Sequence, residues 1–227
     1  MGWSTWIRGA EVEPSLYGAD FSRLGEQIDA LLDVDCRVFH FDVGDGHFVE
    51  PITIGPIVLQ WIAPIIHAGD GYVDCHLMTD TPEKHFAQIK RAGGDSVTVH
   101  YEACPDLAPV VLEARALDLQ IGLAFKPETS AAYAAHAALA SRVDMVLCMS
   151  IEPGYSGQEF MAEAYDRIRT VRELLPPDVP VQVDGGIGPE NIRAVRDAGA
   201  KLFVAGSSIF GREDLPRAYR RLIQELA

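Results

Sequence analysis

The sequence predicts an α/β protein built as a single (β/α)8 barrel, and three observations carry that prediction. Short apolar, β-branched runs recur eight times along 227 residues. Segments with helical periodicity lie between them, and no linker or low-complexity stretch divides the chain. Strict alternation of strand and helix requires parallel strands joined by helical crossovers. Eight such units in this length approach the roughly 250 residues usual for a closed eight-stranded barrel. A doubly wound open sheet is the alternative arrangement of the same pattern. One domain, residues 1–227, is expected.

The elements follow in order. Strands are expected at residues 12–17, 38–43, 72–78, 96–101, 120–125, 145–151, 179–184 and 201–205. Helical spacing of apolar residues marks, among others, residues 21–33, 82–92, 161–175 and 189–198. Thr81-Pro82 and Gly188-Pro189 suit helix entry, because proline presets the first helical φ and lacks an N–H that would go unpaired there. Trp3 and Trp6 precede the first strand, where they would plug the bottom of the barrel or join an oligomer contact. A barrel also has a functional rim: active sites of this architecture gather at the C-terminal ends of the strands.

Composition excludes several partners. With 48% hydrophobic residues the chain can build a core, yet it has no run of 18 apolar residues to span a membrane. The start lacks the basic and apolar regions of a signal peptide, and Trp6 stands where a myristoylation signal wants Ser or Thr. A cytoplasmic protein is therefore expected. A formal charge of −14 without clustered Lys and Arg argues against nucleic acid as a partner. Any phosphate site must be built locally. Cys36, Cys75, Cys104 and Cys148 are scattered and form no Cys-x-x-Cys pair. Strand alternation points Cys75 and Cys148 away from the barrel interior.

The octapeptide His40-Phe-Asp-Val-Gly-Asp-Gly-His47 ends the second apolar run. Side chains two apart share a face of a strand, so His40 and Asp42 project together. This segment alone equally fits a hydrogen-bonded core histidine beside a carboxylate that caps the next turn. His76 near the end of the third strand and Asp184 at the end of the seventh join the pair at the same rim. Two imidazoles and two carboxylates form a plausible set for zinc, iron(II), manganese or cobalt, and ligand type does not choose among them. The competing reading is that the four bond to one another around an irregular barrel mouth.

Two glycine turns supply a second signal. Asp184-Gly185-Gly186 follows strand seven and Ala205-Gly206-Ser207-Ser208 follows strand eight, the places where many such barrels bind phosphate through backbone N–H groups. Either turn alone also fits ordinary chain reversal. A third stretch, Glu152-Pro-Gly-Tyr-Ser-Gly-Gln158, reads as a mobile cover or a plain loop.

With these motifs in place the chain closely resembles the ribulose-phosphate 3-epimerase family. The likeness runs through Pro14-Ser-Leu-Tyr-Gly-Ala-Asp-Phe21, His40-Phe-Asp-Val-Gly-Asp-Gly-His-Phe-Val49, Asp74-Cys-His-Leu-Met78, Thr98-Val-His-Tyr-Glu102, Met149-Ser-Ile-Glu-Pro-Gly154, Val183-Asp-Gly-Gly-Ile187 and Val204-Ala-Gly-Ser207. It implies a TIM barrel of the ribulose-phosphate-binding type and one divalent metal ion held by His40, Asp42, His76 and Asp184. Asp42 and Asp184 would also be the acid and base. Ser15, His76, Gly154, Tyr155, Ser156, Gly157, Gly185, Gly186, Gly206 and Ser207 would line the substrate or its phosphate, with Met78 and Met149 against the sugar. The implied reaction interconverts D-ribulose 5-phosphate and D-xylulose 5-phosphate in the pentose phosphate pathway. A proton leaves C3 toward one carboxylate, and another returns on the opposite face through an enediolate whose charge the metal neutralises. A phosphosugar substrate and a homo-oligomer are the implied partners.

Some positions depart from the family pattern. Gly44 stands where Met is usual, so one apolar wall of the pocket is expected to be missing. Gly154-Tyr-Ser-Gly157 replaces Gly-Phe-Gly-Gly, and Glu50-Pro51 replaces Pro-Asn. Glu13 replaces Ala or Gly and shares strand parity with Ser15, so it is expected inside the barrel with Gln182 as its partner. A wider pocket would suit D-allulose 6-phosphate, and loss of activity on a phosphosugar-binding fold is a further alternative. Decarboxylase and hexulose-phosphate synthase relatives carry Asp-x-Lys-x-x-Asp; here His40-x-Asp42-x-x-Asp45 has no lysine. His47 is expected in a loop hydrogen bond and His100 in a structural role.

Overall fold

A computed structural model describes residues 2–227. Its eight strands are β1 (Glu11–Pro14), β2 (Val38–Gly44), β3 (Tyr72–Met78), β4 (Ser96–His100), β5 (Gln120–Phe125), β6 (Met145–Met149), β7 (Val181–Asp184) and β8 (Leu202–Ala205). All pair in parallel, in the order β1-β8-β7-β6-β5-β4-β3-β2. A further parallel bridge between Ser15 and His40 joins the first strand to the second and closes the (β/α)8 barrel.

The helices are α1 (Trp3–Trp6), α2 (Leu24–Leu32), α3 (Pro56–Ala68), α4 (Glu83–Ala92), α5 (Leu107–Ala116), α6 (Ala131–Ser141), α7 (Ala164–Leu174), α8 (Ile192–Asp197), α9 (Ser207–Phe210) and α10 (Leu215–Leu226). Their starts follow capping chemistry. Asp106 accepts from the Ala108 amide at α5, Asp214 accepts from the Arg217 amide at α10, and Pro56 opens α3. In α10, Leu215, Tyr219 and Leu222 are buried at helical spacing and form the face laid on the barrel. No helix is long and apolar enough, among the described residues, to cross a membrane.

Both faces of the sheet are covered, which is why the strands read as nearly continuous apolar runs. One alternate set, including Phe39, Phe41, Cys75, Val97, Leu123, Cys148 and Phe203, packs outward under the helices. The other set points into the barrel. At its bottom Val38, Met145, Leu147 and Leu202 pack with Trp3 and Trp6, and Trp6 stacks on Tyr72 with ring centroids 4.8 Å or less apart within this aromatic group. Of the two roles expected for these tryptophans, the plug is the one observed.

Boundaries differ from the sequence expectations where local chemistry ends an element early. The first strand stops at Pro14, and Leu16–Gly18 form a 3-10 turn, so Tyr17 is not in the sheet. Strand seven begins at Val181 rather than 179, since Pro180 has no N–H to donate to a ladder. The segment 161–163 forms turns before α7, and residues 21–23 form a 3-10 turn before α2. Residues 101 and 150–151 likewise lie outside strands four and six.

Candidate active site

Strand register assembles the rim. Asp42 on β2 sits beside His76 on β3, Ser15 sits beside His40, and Asp184 ends β7 across the barrel mouth. One ligand atom from each of His40, Asp42, His76 and Asp184 lies within 4.8 Å of all the others. Asp42 Oδ1 is 3.2 Å from His40 Nε2 and 3.1 Å from His76 Nδ1, and Asp184 Oδ2 is 3.8 Å from the same His76 nitrogen. Asp42 Oδ2 accepts a 2.6 Å hydrogen bond from the Ser15 hydroxyl.

The donor set fits a divalent cation. His40 Nε2 is buried without a hydrogen-bond partner, although its other nitrogen, Nδ1, is held 3.0 Å from Asp74 Oδ2. An imidazole with one nitrogen tied to a carboxylate and the other bare toward two carboxylates has the arrangement of a metal-ligating histidine. Ligands about 2.0–2.2 Å from a common ion lie roughly 3–4 Å apart, so the observed spread needs only a small inward movement. Together with the burial of both imidazoles, this favours the metal reading over simple mutual hydrogen bonding.

The two carboxylates are electrostatically unlike. Burial would raise the Asp42 carboxyl, but the nearby His40, together with His76, outweighs it and holds Asp42 far below the usual range. Burial and the adjacent Asp42 carboxylate push Asp184 up to about 6. Burial disfavours a charged His40, yet Asp42 and Asp74 raise it well above an ordinary histidine. Environments that drive paired acids apart are how one site supplies both an acid and a base.

A cavity of about 50 Å³ opens at this rim. Ser15, Asp42, Met78, Met149 and Asp184 line it from the strands, and Gly154, Tyr155, Ser156 and Gly157 cover it. Gly185, Gly186, Gly206 and Ser207 complete the wall. Of the residues expected around a substrate, His76 is absent from this lining; it is fully buried behind Asp42, as is His40. Gly186 has φ +62°, and a Cβ there would lie 2.5 Å from the Phe160 nitrogen, so only glycine allows this close approach of the two loops. The cover is tied down by Gln158 Nε2, which donates to the carbonyls of Glu152 and Tyr155.

Two expectations are revised. Gly44 does not leave a gap: a Cβ built there would meet Pro51 O and Val49 Cγ2, both at 2.9 Å, and Thr53 Cγ2 at 3.1 Å. The loop after β2 folds back into the space, with Thr53 Oγ1 accepting from the Gly44 amide at 2.6 Å. Val49 and Pro51 then reach the cover, where they would meet a Cβ on Gly154 at 3.3 and 3.1 Å. For His47, the loop hydrogen bond comes from its backbone amide to Asp45, while the residue itself is exposed.

Below the rim lies a polar layer that the sequence disclosed only in part. Gln182 Nε2 donates to Glu13 Oε2 at 2.5 Å, as strand parity predicted, and to Asp74 Oδ2 at 3.0 Å. Ser96 and Thr98 donate to the other oxygen of Asp74 at 2.6 and 3.2 Å. Burial, then repulsion from Asp74, pushes the Glu13 carboxyl well above its usual range. Asp74, Ser96 and Thr98 escaped the sequence reading; their even spacing from His76 and His100 was the available signal. The cysteines point away, and burial drives the Cys148 thiol up to about 11.

Comparison with known proteins agrees with this geometry. The family model described as "Ribulose-phosphate 3 epimerase family" matches residues 11–210. The chain is 34% identical over 212 residues to the ribulose-phosphate 3-epimerase of Bacillus subtilis, covering 92% of this chain and 95% of that protein. It is also 34% identical over 219 residues to that of Escherichia coli K12, covering 95% and 96%. A crystal structure of 3-hexulose-6-phosphate synthase superposes with a TM-score of 0.72 at 21% identity, over 96% of this chain and 100% of the other, a likeness of fold. The chain belongs to the ribulose-phosphate 3-epimerase family, and its class is that of the isomerases that epimerise carbohydrates.

Proposed function

We propose that this enzyme inverts C3 of D-ribulose 5-phosphate, with Asp42 and Asp184 as the two proton-transfer groups. The observation that carries the reading is that these two carboxyls converge on one cavity with opposite tendencies to hold a proton. C3 lies next to the C2 ketone, so removal of its proton gives an enediolate; epimerisation then requires a proton returned to the opposite face. One carboxyl must be ionised to accept the C3 proton while the other carries the proton that is returned, and Asp42 and Asp184 are the two placed to do so. In the reverse direction the roles exchange. A divalent cation held by His40, Asp42, His76 and Asp184 would supply Lewis-acid stabilisation of the enediolate charge.

The remaining residues support positioning. Ser15 fixes the Asp42 carboxylate, and Met78, Met149 and Ile151 make an apolar surround that limits water near C3. The turns at Gly185-Gly186 and Gly206-Ser207 face the same cavity and suit a phosphate approached by backbone amides. A cytoplasmic location is supported by four unpaired cysteines, and self-association by exposed Ile57 and Trp61 one turn apart on α3.

The pentulose is preferred over D-allulose 6-phosphate because Val49, Pro51 and Thr53 fill the space beside Gly44 that a longer sugar would have used. A panel of pentulose and hexulose phosphates, assayed with zinc, manganese, cobalt or iron(II) added separately, tests this. Higher kcat/KM for ribulose 5-phosphate is the expected result; preference for the hexulose would contradict the substrate assignment while leaving the chemistry intact.

A further inference from the structure

Behind His76 runs a second histidine that the proposed reaction does not use. His100, at the end of β4, is fully buried. Its Nε2 lies 2.8 Å from His76 Nε2, and its Nδ1 lies 3.3 Å from Glu102 Oε2. The two imidazoles are 5.0 Å apart at their centroids and inclined by 26°, so each ring's in-plane nitrogen faces the other. Glu102 is itself held: its Oε1 accepts from the Lys126 amide at 2.9 Å and from the Thr129 hydroxyl. Phe48 packs on the His100 ring with centroids 4.7 Å apart.

Two facing ring nitrogens 2.8 Å apart share a single proton, so one donates and the other accepts. A histidine that offers Nδ1 to a cation must keep its lone pair there and carry its proton on Nε2. His76 then donates to His100 Nε2. His100 is left with its proton on Nδ1, which points at the Glu102 carboxylate, an acceptor only. Glu102 cannot reverse this order, because Lys126 and Thr129 already donate to its other oxygen and it has no proton to offer.

We propose that His100 and Glu102 are positioning residues that fix the His76 tautomer with its Nδ1 lone pair free for the cation that Asp42 and Asp184 would share. This rests on the metal reading of the rim. The two histidines of the rim are then backed alike: His40 directly by Asp74, and His76 through His100 by Glu102. Such backing orients a ligand and raises its basicity, and its loss typically costs 10–100-fold in metal affinity or activity.

Glu102→Gln tests the direction. The amide is nearly isosteric, but with its oxygen turned to Lys126 and Thr129 its NH2 donates to His100 Nδ1. That forces the His100 proton to Nε2 and the His76 proton to Nδ1. Nitrogen-15 NMR of histidine-labelled, zinc-loaded protein reads both tautomers, and titration of metal-free protein with cobalt(II) alone reads affinity and the visible spectrum. Expected are a His76 Nε2–H and a His100 Nδ1–H in the zinc-loaded wild type, with cobalt affinity at least tenfold weaker in Glu102→Gln and its circular dichroism unchanged. His100→Phe, which keeps the ring packing and removes the acceptor, should also weaken cobalt binding. A wild-type His100 protonated on Nε2, or cobalt affinity within twofold of wild type in both variants, overturns the proposal. A wild type that takes up no cobalt overturns the metal reading itself, and with it this role for His100 and Glu102.

Discussion

The Ser15 hydroxyl donates to Asp42 Oδ2 at 2.6 Å, so the other oxygen of that carboxylate is the one turned toward His40 and His76. A residue at the end of β1 thereby orients the acid–base group of β2 across the seam that closes the barrel. Ser15→Ala removes this restraint and leaves a buried carboxylate oxygen unpaired. Turnover of ribulose 5-phosphate is expected to fall by about 10- to 100-fold. Stability should fall by only about 1–3 kcal/mol. Steady-state kinetics with thermal melting checks both; unchanged kcat would remove Ser15 from the account.

Gly44→Met restores the residue usual in the family but places a Cβ 2.9 Å from Pro51 O and Val49 Cγ2. Backbone cannot yield as a flexible side-chain end can, so the 45–53 loop must move. A loss of about 1–3 kcal/mol is expected from such overpacking. Because Val49 and Pro51 also reach Gly154, KM should rise with it. A melting temperature equal to wild type would show that the loop is not fixed by Gly44.

Acid and base should act on stability through different pairs. Burial disfavours an ionised Glu102, but His100, Thr129 and the Lys126 amide bring it down to about 2. Its contribution is present above the unfolded value of roughly 4.3 and is lost as pH falls toward 2. His67 is raised, chiefly by its hydrogen bond to Asp95 at 2.9 Å. Its contribution is full below about 6.5 and is lost as pH rises through the raised folded value. Melting curves of Glu102→Gln should therefore be flatter than wild type between roughly pH 4.3 and 2, and those of His67→Gln flatter on the alkaline side of about 6.5. Parallel curves for all three proteins would contradict these assignments.

What could be read from the sequence was set by periodicity. Strands two to six stood out because both of their faces are buried, and the polar exceptions His40, Asp42 and His76 stood out against that background. The Glu13–Gln182 pair was legible because parity put two polar groups into one closed barrel. Asp74, Ser96 and Thr98 were not, since short polar residues on a strand are unremarkable until closure brings them onto one carboxylate. Gly44 misled for a related reason. Absence of a side chain reads as empty space in one dimension, whereas here the chain five to nine residues onward folds back to fill it.

The central claim is that Asp42 and Asp184 move protons at C3 from opposite faces. The most direct measurement is deuterium incorporation at C3 of ribulose 5-phosphate in deuterated water, followed by NMR, for wild type, Asp42→Asn and Asp184→Asn under saturating metal. Incorporation into both epimers by the wild type is predicted, with a loss of at least about 100-fold in each variant while the fold survives by circular dichroism. No exchange by metal-loaded wild type, or near-normal exchange by either asparagine variant, would contradict the two-carboxylate account.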